Sequence, residues 1–201
     1  MTLVSTVRNL ALAAGLALSL SACGINSVPT AEENAKAKWA DVEAQYQRRA
    51  NLIPNLVEVT QGAAENERAI LTEVTEARAR ATSVNIAADD LGDASKMQEF
   101  ATAQGQLSQG LGRLLASFEA YPTIQSNQNF IALQSQLEGT ENRIAVAIRD
   151  YNEAVRQYNT TIRTFPDIIG ANIIHGADPL EPYTAVTEGA EVAPEIDMTS
   201  N

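Results

Sequence analysis

Glu67, Glu119 and Glu141 are the residues of this 201-residue chain best placed to do chemistry. Glu67 and Glu141 fall on apolar stripes of helical spacing, and Glu119 closes a third such segment. Carboxylates gathered inside a helical bundle are the ligands of a carboxylate-bridged di-metal centre, but that centre also takes Glu-x-x-His from paired helices. Here Ile70 stands three places after Glu67, and Ile144 three after Glu141. There is one histidine, His175, in a tail rich in Gly and Pro, and one cysteine, Cys23. The inventory therefore excludes an internal disulfide and a multi-Cys or multi-His metal site. It assembles no Ser/His/Asp or Cys/His set and no Gly-rich phosphate loop after a strand. We expect no catalytic residue, no cofactor and no metal. A buried charge is costly unless paired. Arg49 or Arg78 is accordingly expected opposite Glu67, Glu119 or Glu141, as a structural polar network that fixes helix register.

Tyr151-Asn152 and Tyr158-Asn159 repeat after seven residues and so share one helix face. The repeat reads as packing with satisfied polar tips, or, more sharply, as a face lining a ligand.

The elements behind these residues are helices. Aromatics make up 5% of the chain, and long Val/Ile/Thr alternations are missing. Ala, Glu, Gln, Leu and Arg, which lose little rotamer freedom on a helix, are abundant. The formal charge is -11, and removing residues 1–22, whose one charge is Arg8, leaves -12. Such a chain repels phosphate backbones, which excludes a nucleic-acid partner. At the N-terminus Arg8 precedes the apolar run Leu10 to Leu20, a signal-peptide core rather than a spanning helix, which needs about 20 residues. Leu20-Ser21-Ala22-Cys23 is similar to the lipobox of bacterial lipoproteins. It implies a signal peptide over 1–22, lipidation of Cys23, and a protein exported and anchored at a membrane: the periplasmic face, or the outer membrane of a Gram-negative cell, which Gly24 rather than Asp after the cysteine favours.

Residues 23–29 read as the lipidated cysteine and a tether, 30–166 as a helical bundle and 167–201 as an acidic, Pro-containing, mostly irregular tail. Thr30-Ala31-Glu32-Glu33 fits a capping box. A first helix is expected from Thr30 to Ser83, with the stripe Trp39, Val42, Tyr46, Ile53, Leu56, Ala63, Ile70, Val74, Ala77, Ala81. Pro54 must kink or break it. A second helix is expected from Asp89 or Asp90 to Ala120. A third starts around Ser126 to Gln128 and runs to Phe165, with Phe130, Leu133, Leu137, Ile144, Ile148, Tyr151, Val155, Tyr158, Ile162 and Phe165 on its stripe. The fold is thus all-α: an antiparallel bundle of three long helices, or four if the first breaks at Pro54. A first helix of roughly 80 Å would outrun the second. The stripe at Trp39, Val42 and Tyr46 would then lie uncovered.

Tyr46-Gln47-Arg48-Arg49-Ala50-Asn51-Leu52-Ile53-Pro54-Asn55-Leu56-Val57 resembles the hallmark of the LemA family. Further similarities are Glu67, Thr75-Glu76-Ala77-Arg78, Glu119-Ala120-Tyr121-Pro122, Thr140-Glu141-Asn142-Arg143-Ile144, Tyr151-Asn152, Tyr158-Asn159 and Phe165-Pro166. The resemblance runs from about Ile25 to Ile196. It implies a helical bundle at a bacterial membrane with no defined reaction, and a TPM-domain membrane protein as a partner. Ile25 and Ile148 depart from the family pattern, and the lipobox stands where many relatives keep an uncleaved membrane helix.

The expected function is that of a membrane-anchored, non-enzymatic interaction or scaffold protein that engages a protein partner or a second copy. Its candidate interaction surface is Trp39, Val42, Tyr46, Arg48 and Asn55. The alternatives are a small-ligand or lipid carrier with a cavity near Gly105, Gly110, Gly112 and Tyr151, and a metalloprotein using Glu67, Glu119 and Glu141.

Overall fold

The computed structural model describes residues 23–61 and 67–185, and within α1 the side chains from residue 26 to residue 60. The expected signal peptide, residues 1–22, and the last residues of the expected tail lie outside them. Among the described residues there is no strand. The α-helices are α1 (Cys23–Gln61), α2 (Arg68–Ser83), α3 (Ala94–Ser117), α4 (Pro122–Gln125), α5 (Gln128–Thr161) and α6 (Asp167–Gly170), with a π-turn at Ala171–His175.

The chain divides into two compact units. One takes the residues up to Arg49, then Ile86–Met97 and Leu137–Tyr183; the other takes Ala50–Asn85, Gln98–Gln136 and the chain from Thr184.

In the first unit the N-terminal part of α1 lies antiparallel to the C-terminal part of α5. Trp39 meets Tyr151, and ten residues further up α1 Arg49 meets Glu141, ten residues down α5. Near the start of α1, Val28 packs with Tyr158, Ile162 and Ala171. The inward positions Val28, Ala35, Trp39, Val42 and Tyr46 recur at steps of three, four and seven, which keeps them on one helix face.

In the second unit α3 packs antiparallel on α2. Gln104 donates to the Ala81 carbonyl (3.1 Å), Gly110 faces Val74, and Arg113 pairs with Glu73. A Cβ built on Gly110 would stand 3.4 Å from a Val74 methyl, so the missing side chain lets the two helices approach. Phe118 and Phe130 meet edge to face, with ring centroids 5.7 Å apart.

Several expectations are corrected. The helix does not wait for Thr30. It is already formed at Cys23, and Thr30 donates its hydroxyl to the Asn26 carbonyl one turn back. Residues 23–29, read as the lipidated cysteine and a tether, are thus helical. The first helix is not one long rod, and Pro54 is not its break. α1 runs through Pro54 to Gln61, and α2 starts anew at Arg68. Arg78 reaches the backbone of Ala50, 28 residues earlier, which a straight helix would hold about 42 Å away. The chain has turned back on itself. α3 begins not at Asp89 or Asp90 but after Asp93, whose carboxylate caps the N–H groups of Ser95 and Lys96 at 2.9 and 3.2 Å.

The tail is mostly irregular as expected, and its described part is nonetheless ordered by the bundle. Residues 167–175 are helical, and 178–183 form an extended strap docked into the first unit, with Tyr183 only 2% exposed.

Candidate functional site

The residues singled out for chemistry serve the backbone and the core. The Tyr-Asn repeat of α5 binds the strap rather than a ligand. Asn159 donates to the Leu180 carbonyl (2.8 Å) and accepts from its N–H (2.9 Å). Asn152 does the same to Tyr183, at 2.9 and 2.8 Å. The Tyr158 hydroxyl donates to the Asp178 carbonyl and that of Tyr151 to the Glu181 carbonyl, at 3.0 and 2.9 Å.

The geometry explains the spacing. Seven residues of helix rise about 10.5 Å, and three residues of extended chain span about 10 Å. A side-chain pair repeating every seventh residue on α5 therefore meets the strap at every third residue, with the strap running the opposite way. The Glu181 N–H goes to the Leu91 carbonyl (2.9 Å). The remaining strap positions between 179 and 183 are Pro179 and Pro182, which have no N–H to satisfy. Every backbone donor of this stretch is thus matched without a β-ladder. Gly92 helps: a Cβ there would lie 3.3 Å from the Pro179 carbonyl oxygen.

The strap delivers Tyr183 into a ring cluster. Its ring lies 5.7 Å from Trp39 and 6.2 Å from Tyr46, and its hydroxyl is 2.9 Å from that of Tyr46. Burial pushes the hydroxyls of Tyr46, Tyr151 and Tyr183 up from their ordinary value. They stay protonated at neutral pH and act as hydrogen-bonding groups, not bases. Beside them the guanidinium of Arg49, 1% exposed, donates to Glu141 (2.9 Å) and stands 4.9 Å from the centre of the Tyr46 ring. The Glu141 side chain is 48% exposed, so the pair is buried on its cationic side only. Burial also pushes the half-buried Glu43 carboxyl up, while Trp39 and the Ile86 backbone pull it back.

Of the expected polar network, Arg49 pairs with Glu141. Arg78 instead donates from Nε to the Ala50 carbonyl (2.7 Å). Pro54 lacks the N–H that would have bonded Ala50 four residues earlier, and Ala50 is buried. Arg78 supplies the donor that the proline removes. Glu67 accepts from the Tyr121 hydroxyl (3.1 Å). The Glu119 side chain is exposed, and its backbone carbonyl accepts from Gln125. Among the described residues no cluster of three or more His, Cys, Asp or Glu could hold a metal ion.

The expected interaction surface is corrected in the same way. Trp39, Val42 and Tyr46 are buried. α5 covers Trp39, and the strap covers both Trp39 and Tyr46. Arg48 and Asn55 are exposed. Of the residues named for a carrier cavity, Gly110 is packed on Val74 and Tyr151 is wholly buried, while Gly112 lines a cleft of its own unit. A cleft opens in each unit. One of about 430 Å³ is lined by Gly112, Leu115, Phe118, Glu119, Phe130 and Gln134. Another, of about 580 Å³, is lined by the uncharged Asn26, Ser27, Thr30, Asn34, Gln157 and Thr161.

Antiparallel helices whose internal arginines and asparagines are committed to a backbone carbonyl, one carboxylate and a C-terminal strap define an all-helical protein of structural polar groups. The chain belongs to the LemA family, whose profile matches residues 38–198. It is similar to "Magnetosome protein MamQ 2" of Paramagnetospirillum magneticum, with 32% identity over 70% of this chain and 58% of that protein. It is likewise similar to "Magnetosome protein MamQ" of Magnetospirillum gryphiswaldense, with 30% identity over the same shares. The match thus spans a little over half the length of these curated relatives.

Proposed function

We propose that this chain is a membrane-anchored, non-enzymatic helical interaction or scaffold protein of the bacterial cell envelope. The observation that carries the reading is the use of its internal polar residues. Arg49, Arg78, Asn152 and Asn159 all hold the fold together, and the tyrosines beside them remain neutral. A protein built in this way works through its surface. The anchor is read from Leu20-Ser21-Ala22-Cys23, directly ahead of α1. The exposed positions Arg48 and Asn55 are the remaining members of the expected interaction surface, and a membrane protein, such as one with a TPM domain, is the proposed partner.

The test has two parts. Intact mass of the membrane-extracted protein should show a chain beginning at Cys23 and carrying acyl mass. A photocrosslinker placed at position 48 or 55 should capture a membrane protein or a second copy in cells. An unprocessed chain without lipid refutes the anchor, and intrachain products alone refute the surface.

A further inference from the structure

Four large apolar side chains stand in solvent within one ten-residue stretch. Phe165, Ile169, Ile173 and Ile174 are 71%, 46%, 79% and 57% exposed, while Gly170 and Ala171 between them are buried. Single exposed apolar residues are ordinary, but Ile169 on α6 and Ile173 and Ile174 on the π-turn, with Phe165 two residues ahead of α6, put four into ten residues and make a patch.

Its place in the fold says what covers it. Ala171 packs with Val28 and Ile162, and the Ser27 hydroxyl donates to Asp167 at 2.5 Å. The patch therefore sits on the segment that holds the first turns of α1. From Val28 back to Cys23 is about 8 Å along the helix. Before Cys23 stand 22 residues with the apolar run Leu10–Leu20. An anchor at this end brings the patch to the same membrane.

We propose that this tip is a membrane-seating surface: Phe165, Ile169, Ile173 and Ile174 enter the headgroup–acyl boundary of the bilayer that holds the N-terminus. With a formal charge of -11 the chain as a whole is not drawn to anionic headgroups, so contact there must rest on apolar burial. Side chains on such interfacial elements reach about 5–10 Å into the bilayer. Arg163, exposed two residues past α5 and two before Phe165, would meet a lipid phosphate in that seating. The tip would fix the tilt of the bundle, which a single anchored residue leaves free. This inference rests on the membrane anchoring proposed above.

The test uses the full chain in vesicles of phosphatidylethanolamine and phosphatidylglycerol, with and without brominated acyl chains. Trp39 is the chain's one tryptophan and is buried, so the unmodified protein gives the background emission. Phe165→Trp and Ile173→Trp add a reporter at the tip, and Ile131→Trp adds one at an exposed position on α5. The tip reporters should shift to shorter wavelength on reconstitution and lose their added emission to brominated chains, while the reporter at 131 keeps its own. Equal quenching at all three positions overturns the proposal, as does quenching at none. Shielding of the tip reporters from aqueous iodide without acyl-chain quenching assigns the patch to a second copy and also overturns it. Vesicle flotation separates the two readings. Protein that floats with an unquenched tip loses the seating surface alone, and protein that does not float loses the anchor as well.

Discussion

Arg78 and Pro54 should be energetically coupled although they lie 24 residues apart in sequence. In an unbroken helix the carbonyl of Ala50 would receive the N–H of residue 54, and proline has none. The Nε of Arg78 fills the vacancy at 2.7 Å, on a residue that is 2% exposed. Arg78→Met keeps most of the apolar stem and removes the donor. The loss is a hydrogen bond from a charged group, about 1.5–3 kcal/mol, and the Ala50 carbonyl is left buried and unsatisfied. Pro54→Ala restores a backbone N–H that competes for the same carbonyl. In that background Arg78→Met should cost under about 1 kcal/mol, so the double-mutant coupling energy is about 1–2 kcal/mol. At roughly 2–4 °C per kcal/mol for a chain of this size, Arg78→Met alone should lower Tm by about 3–12 °C. Urea melts of the four proteins, followed by the helical circular dichroism signal, give the cycle. Additivity of the two single changes within about 0.5 kcal/mol would mean that Arg78 does not replace the missing donor, and the reasoning fails.

The strap gives a second prediction. Asn152→Ala removes two hydrogen bonds to Tyr183 and should cost about 2–3 kcal/mol, against about 0.5 kcal/mol or less for Asn142→Ala on the exposed face of α5. Limited proteolysis between 176 and 183 should rise further in the Asn152→Ala/Asn159→Ala double variant. Glu141→Ala leaves a buried guanidinium without its carboxylate and should cost about 2–3 kcal/mol, short of a fully buried pair because Glu141 is half exposed. Adding Arg49→Met should recover part of that loss in the same urea melts. Tyr46, Tyr151 and Tyr183 hold their protons more tightly folded than unfolded, so their contribution is complete below the unfolded value of about 10 and is lost progressively as pH rises from there toward the higher folded values. Stability measured above pH 10 should therefore fall steeply, and Tyr→Phe at any of the three should flatten the fall by up to about 1.4 kcal/mol per pH unit. Gly112→Ala meets nothing within 4 Å and should stabilise α3 by up to about 1 kcal/mol, whereas Gly110→Leu must push Val74 aside and should destabilise it in thermal melts.

The helices were legible because their signal is local and periodic. The α5 stripe from Phe130 to Ile162 is buried nearly as its spacing predicts, and Phe165 departs from it because α5 ends at Thr161. The turn between α1 and α2 was not legible, since apolar residues on either side of it face a core and the stripe resumes in phase across the gap. Pro54 drew the prediction of a kink or break because a proline's cost is local, while the side chain that offsets it comes from another helix. The strap was hidden for a related reason. An extended segment that pairs with side chains carries no alternation of its own, and its register is written on α5 as a repeat of seven. Asp178-Pro179-Leu180-Glu181-Pro182-Tyr183 shows only prolines, which by themselves read as irregular chain. Set against Asn152 and Asn159, the same prolines mark the positions where no donor is needed. The two Tyr-Asn pairs and the two prolines are thus one pattern divided between two segments: a helix presenting amides every 10.5 Å or so can select only an extended chain that offers a free N–H at every third residue.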